Sequence, residues 1–76
     1  MTVVLEYSDA DGAITKRRVE AYYVLRTKIP AEDYLVGYCQ LRSDMRSFRL
    51  DRILQLKAHD KKYQTEREIL KVLIGS

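Results

Sequence analysis

Apolar and polar positions alternate from the start of the chain. Val3, Leu5 and Tyr7 fall on one side of an extended segment and Val4 and Glu6 on the other, which predicts a strand. Asp9-Ala10-Asp11-Gly12 supplies a turn, because glycine tolerates the positive φ that tight hairpins need. Ile14 to Leu25 is a second strand, rich in β-branched and aromatic residues, whose alternation breaks at Ala21, Tyr22 and Tyr23, the mark of a bulge or bend. Ile29-Pro30-Ala31-Glu32 reads as a loop, since proline cannot continue a ladder. Asp33 to Leu41 follows as a third strand, with Leu35, Gly37, Cys39 and Leu41 on one face and Tyr34, Val36, Tyr38 and Gln40 on the other. Both faces are partly apolar, so both are expected to be covered. Arg42-Ser43-Asp44 turns into a fourth strand, Met45–Leu50, and a fifth runs from about Ile53 to Lys57. Five short strands at this spacing predict a mainly β fold, a small five-stranded barrel.

The period then changes. Thr65 with Glu68 three residues later fits a capping box, which starts a short helix over Glu66–Ile74 that Gly75 stops. At 100° per residue its apolar positions cover roughly 200°, more than one docked face needs. Either the helix plugs the open end of the barrel, or part of it meets another chain or domain.

Length and composition narrow the class. Seventy-six residues hold one core and so one domain, and Cys39 and His59 are the only residues of their kind, which excludes a disulfide framework and a four-ligand zinc site. A hydrophobic fraction of 46% argues against disorder. No apolar run approaches the ~18 residues of a membrane span, and no basic leader with an apolar stretch opens the chain. The expectation is a soluble, cytoplasmic protein with a free Cys39.

Net charge is +3, but it is unevenly placed. Residues 1–15 hold Glu6, Asp9 and Asp11 and no base, whereas residues 16–28 hold Lys16, Arg17, Arg18, Arg26 and Lys28 against Glu20 alone. A second basic block spans residues 40–62, and two such blocks can meet in a fold. Catalytic chemistry finds little support. His59 lies in an exposed-looking Lys-Ala-His-Asp-Lys-Lys stretch, Cys39 alternates with buried leucine positions, and the three glycines are too far apart for a phosphate loop. No enzyme activity, catalytic residue, metal or cofactor is expected.

Four arginines, Arg42, Arg46, Arg49 and Arg52, fall within eleven residues around Phe48 and follow Tyr34 and Tyr38. Guanidinium forks grip phosphate in a bidentate way and aromatic rings offer stacking surfaces, a pairing suited to a nucleotide or a single strand. The structural alternative is that Arg42 is a turn residue, Arg49 and Arg52 pair with Asp51 and Asp44, and Phe48 and the tyrosines fill the core.

The stretch Asp33-Tyr34-Leu35-Val36-Gly37-Tyr38-Cys39-Gln40-Leu41-Arg42, with Met45-Arg46-Ser47-Phe48-Arg49-Leu50-Asp51-Arg52-Ile53 behind it, resembles the signature of the WYL domain. Glu6-Tyr7, the turn and Lys16-Arg17-Arg18-Val19-Glu20 resemble that family's opening hairpin, so the likeness spans roughly residues 3–57. Two positions depart from it: Asp33 stands where the name-giving tryptophan would be, and Ala21 where a proline is usual. The first removes an aromatic platform, which bears on the ligand more than on the fold.

The resemblance implies an SH3-like barrel of the Sm type, used in bacteria and phages as a sensing module, commonly behind a winged helix-turn-helix in transcription regulators. It also implies a basic surface for single-stranded nucleic acid or a nucleotide-like effector. Tyr34, Arg42, Arg46, Arg49 and Arg52 match the motif and become ligand-site candidates. Tyr38, Arg17 and Arg18 join them by charge and strand neighbourhood, while Leu35, Leu41, Phe48, Leu50 and Ile53 match apolar core positions. A helix-turn-helix pair has no room here, so the chain is expected to be a stand-alone module or a piece of a larger regulator. The competing expectation is a protein interaction module, in which the barrel edge or the helix holds a homodimer or an acidic partner and the arginines pair across that contact.

Overall fold

The computed structural model describes residues 1–75. It contains strands β1 (Thr2–Ser8), β2 (Ile14–Leu25), β3 (Tyr34–Cys39), β4 (Asp44–Arg49) and β5 (Ile53–Ala58), 3₁₀ turns at Pro30–Glu32 and Leu50–Arg52, and one helix, α1 (Glu66–Ile74). The strands form one antiparallel sheet in the order β4-β3-β2-β1-β5. β1 and β2 are joined as the Asp-Gly signal predicts: Gly12 sits at φ 84, and Asp9 Oδ1 accepts the N–H groups of Asp11 and Ala13, both at 2.9 Å.

The expected five strands and C-terminal helix are present, but the barrel does not close: the sheet is open, with β4 and β5 as its two edges. The three-residue turn Leu50–Arg52 carries the chain from one edge straight to the other, and β5 then pairs with β1. The sheet is nevertheless strongly coiled. Three strand spacings of about 4.8 Å separate β4 from β1 in a flat sheet, yet the rings of Phe48 on β4 and Tyr7 on β1 meet edge to face with centroids 5.1 Å apart. Val3, Leu5, Val19, Leu35 and Phe48 line the inner face of this coil and are almost fully buried.

The bend in β2 lies where its alternation fails. The β2–β3 register shifts between Ala21 and Tyr23, so Ala21 and Val24 both point inward while Tyr22 and Tyr23 are both exposed. β3 stops at Cys39, two residues short of the expected end. Leu41, read as core, is 62% exposed in a turn that holds Ser43 at φ 51.

Helix α1 has the predicted bounds, and its Thr65 cap accepts the Glu68 N–H at 3.2 Å. The reciprocal bond differs from the expected box, since the Glu68 carboxylate takes the Thr65 hydroxyl at 3.0 Å. Ile69 and Leu73, one turn apart, are buried where the helix packs on β2 and β5; Leu70 is half-buried, and Val72 and Ile74 are exposed. The docked face is therefore narrower than the apolar arc. Among the described residues no helix is long and apolar enough to cross a membrane.

Candidate ligand-binding site

Strand alternation divides the arginine and tyrosine candidates between the two faces of the sheet. On the outer face Tyr34 lies between Leu25 and Arg49, Tyr38 between Glu20 and Met45, and Arg18 beside Gln40, whose N–H donates to the Arg18 carbonyl at 3.2 Å. The bulge adds a residue that the sequence reading missed. Tyr23 pairs with Val36, which makes it the diagonal neighbour of both Tyr34 and Tyr38, about 7–8 Å from each by strand geometry. Tyr23 and Tyr38 are 42% and 38% exposed, and Tyr34 is half-buried. Three tyrosines thus form a zigzag on one surface. Arg18 and the turn residue Arg42 stand at the Tyr38 end, both exposed.

Arg17 and Arg46 belong to the inner face. Arg17 is 6% exposed; its Nε donates to Thr15 Oγ1 at 3.0 Å, its Nη1 points to Cys39 Sγ at 3.9 Å, and its guanidinium carbon lies 5.8 Å from the centre of the Phe48 ring. Arg46 pairs with Gly37 and shares the face of Phe48, two residues on, but is exposed.

Arg49 is engaged as the structural alternative foresaw. Its Nε and Nη2 bind the two carboxylate oxygens of Asp51 at 2.7 and 2.6 Å, and Glu32 lies 3.7 Å away. Arg52, half-buried in the 3₁₀ turn, makes no ion pair among the described residues; the pairing with Asp44 is absent, and Asp44 instead accepts the Met45 N–H at 2.8 Å. Among the described residues, Arg17, Arg18, Arg42, Arg46 and Arg52 have no carboxylate within 4.0 Å; of the arginines, only Arg26 and Arg49 do.

Asp33, in the tryptophan's position, is a clasp. Buried at the entrance to β3, it accepts the N–H of Thr27 at 2.7 Å and its hydroxyl at 3.1 Å, and meets Arg26 Nε at 2.9 Å. Its carbonyl takes the Leu50 N–H, tying the two 3₁₀ turns together. The N–H of Ala21, which proline would lack, donates to the Met1 carbonyl at 2.7 Å.

The Thr27 N–H, then the Thr27 hydroxyl and Arg26, hold the Asp33 carboxyl below its ordinary range against the opposing effect of burial; the Arg49 fork does the same for Asp51. Both groups bind protons more readily in the unfolded chain. Their stabilisation is complete above the ordinary carboxylate range and is lost as pH falls through the lowered folded values. The urea midpoint should therefore be flat from about pH 5 to 8 and drop below about pH 4. Asp33→Asn should lower the plateau and make the acid drop shallower; an unchanged acid limb means that Asp33 carries none of it.

Among the described residues no group of three or more His, Cys, Asp or Glu could hold a metal; His59 is exposed and Cys39 fully buried. The arrangement offers cations and flat rings, which suit binding of anionic, aromatic ligands. The family model described as the WYL domain matches residues 1–58, which contain the whole sheet and every candidate residue above. No curated protein and no solved structure matches the chain.

Proposed function

Because the chain belongs to the WYL domain family, a family of regulatory sensing domains, we propose that it senses single-stranded nucleic acid or a nucleotide-like anion, without catalysis, in a transcription regulator whose helix-turn-helix partner reads DNA. The observation that carries this reading is the outer face: Tyr34, Tyr23 and Tyr38 in zigzag, with the free guanidiniums of Arg18 and Arg42 at one end. Bases stack on the tyrosines with little regard to sequence, and the arginines neutralise phosphate.

The two contributions separate in a titration of a short fluorescent single strand against salt. With two phosphates neutralised, log K should fall with a slope near −1.4 against log salt, about a sevenfold loss between 50 and 200 mM. Arg18→Ala should halve that slope. Tyr38→Ala should leave the slope alone and weaken binding by the ~1–3 kcal/mol of one stacked base. Binding that ignores salt, or none at low salt, overturns the reading and favours the interaction module, for which the two unpaired sheet edges speak.

A further inference from the structure

A guanidinium that is 6% exposed ordinarily has a carboxylate against it, because an unpaired buried charge is costly. Among the described residues Arg17 has none within 4.0 Å. Its five N–H donors are served by one hydroxyl, that of Thr15, and by a long contact to the Cys39 thiol. Nη2 makes no hydrogen bond among the described residues. Yet among the described residues no side-chain nitrogen or oxygen sealed from solvent lacks a partner, so Nη2 is not sealed from solvent. The guanidinium is thus fixed over the Phe48 ring and by Thr15, with N–H donors to spare. On the same face of β4, two residues from Phe48, stands Arg46, exposed and also without an ion pair among the described residues.

We infer that Arg17 anchors a second anion site, on the inner face of the sheet, which takes one phosphoryl group with Arg46 as its second arm. Two guanidiniums match the two negative charges that a phosphoryl group approaches near neutral pH. Asp44, the acidic neighbour on that face, has Oδ1 on the Met45 N–H. The site lies across the sheet from the tyrosines, so it stands or falls independently of the platform.

Thermal unfolding of the full chain in inorganic phosphate, against sodium chloride of equal ionic strength, tests it. Phosphate binds only the folded site, so Tm should rise with the logarithm of phosphate concentration above Kd, by about 11–22 °C at a hundredfold excess. Arg17→Met replaces the buried cation with an unbranched apolar chain and should fold without the rise. Arg46→Gln should weaken phosphate about tenfold through loss of one charge-assisted bond. Tyr38→Ala should keep the full response, which separates this site from the stacking surface. Adenosine 5′-monophosphate acting at lower concentration than phosphate, with adenosine inert, makes a nucleotide the source; equal potency makes it free phosphate. No rise in the wild type, or equal rises in wild type and Arg17→Met, overturns the inference. If Arg17→Met fails to fold, Arg46→Gln decides, and an unchanged phosphate affinity there overturns it.

Discussion

Gly37→Ala should remove a large part of the fold's stability at room temperature. A Cβ built at Gly37 overlaps the backbone carbonyl oxygen of Glu20 and lies 2.8 Å from Val19 Cγ1 and 2.9 Å from Ala21 Cα. Two of these neighbours are backbone of β2, which cannot rotate aside as a side chain can. The crowding arises because β2 bends over the inner face of β3 at its bulge, where the register slips between Ala21 and Tyr23. Extra methyl groups in a packed core usually cost about 1–3 kcal/mol, with larger costs where no rotamer gives way. A chain of this length holds only about 4–11 kcal/mol in total. The expected loss is therefore a large part of the fold's stability, read as a collapse of the urea midpoint. Gly12→Ala is the control: nothing lies within 4 Å of a Cβ there, and only the φ of +84 is penalised, about 1–2 kcal/mol. If both variants unfold at the same midpoint, the close approach of β2 to β3 is not what makes Gly37 necessary.

That bend also explains why the sequence revealed the strands better than the site. Five strands, the Asp-Gly turn, the broken alternation of β2 and the capped helix all follow from local patterns of period two or 3.6. Closure is not local: it depends on where the Leu50–Arg52 turn delivers the chain. The clustered arginines looked like one surface, yet the same alternation puts Arg17 opposite Arg18 and Arg46 opposite Arg49, as adjacent or odd-spaced positions in a strand must be. Tyr22 and Tyr23 gave no sign of which would join Tyr34 and Tyr38, because the one-residue bulge makes that choice. Asp33 opens the predicted third strand with nothing in the alternation to mark it as buried. Its burial depends on Thr27 and Arg26, six and seven residues earlier, folding back across the Pro30–Glu32 turn, a contact that no periodicity encodes.

Phe48→Ala should be nearly as damaging as Gly37→Ala, for the opposite reason. Phe48 is 1% exposed and joins the two edges of the coil: it comes from β4, meets Tyr7 of β1 at 81° and 5.1 Å, and packs in one cluster with Ile53 and Leu56 of β5. Truncating a buried phenylalanine leaves a cavity and costs about 3–5 kcal/mol, and here it also takes the floor from under the Arg17 guanidinium. Phe48→Leu keeps most of the volume and should leave a measurable, less stable fold. It therefore serves for a double-mutant cycle with Arg17→Met. If the ring supports the buried cation, the two changes should couple by about 0.5–2 kcal/mol, because Phe48→Leu harms a chain with Arg17 more than one with methionine there. Additive effects would mean that the ring and the guanidinium merely lie side by side, and Arg17 would then owe its fixed position to Thr15 alone.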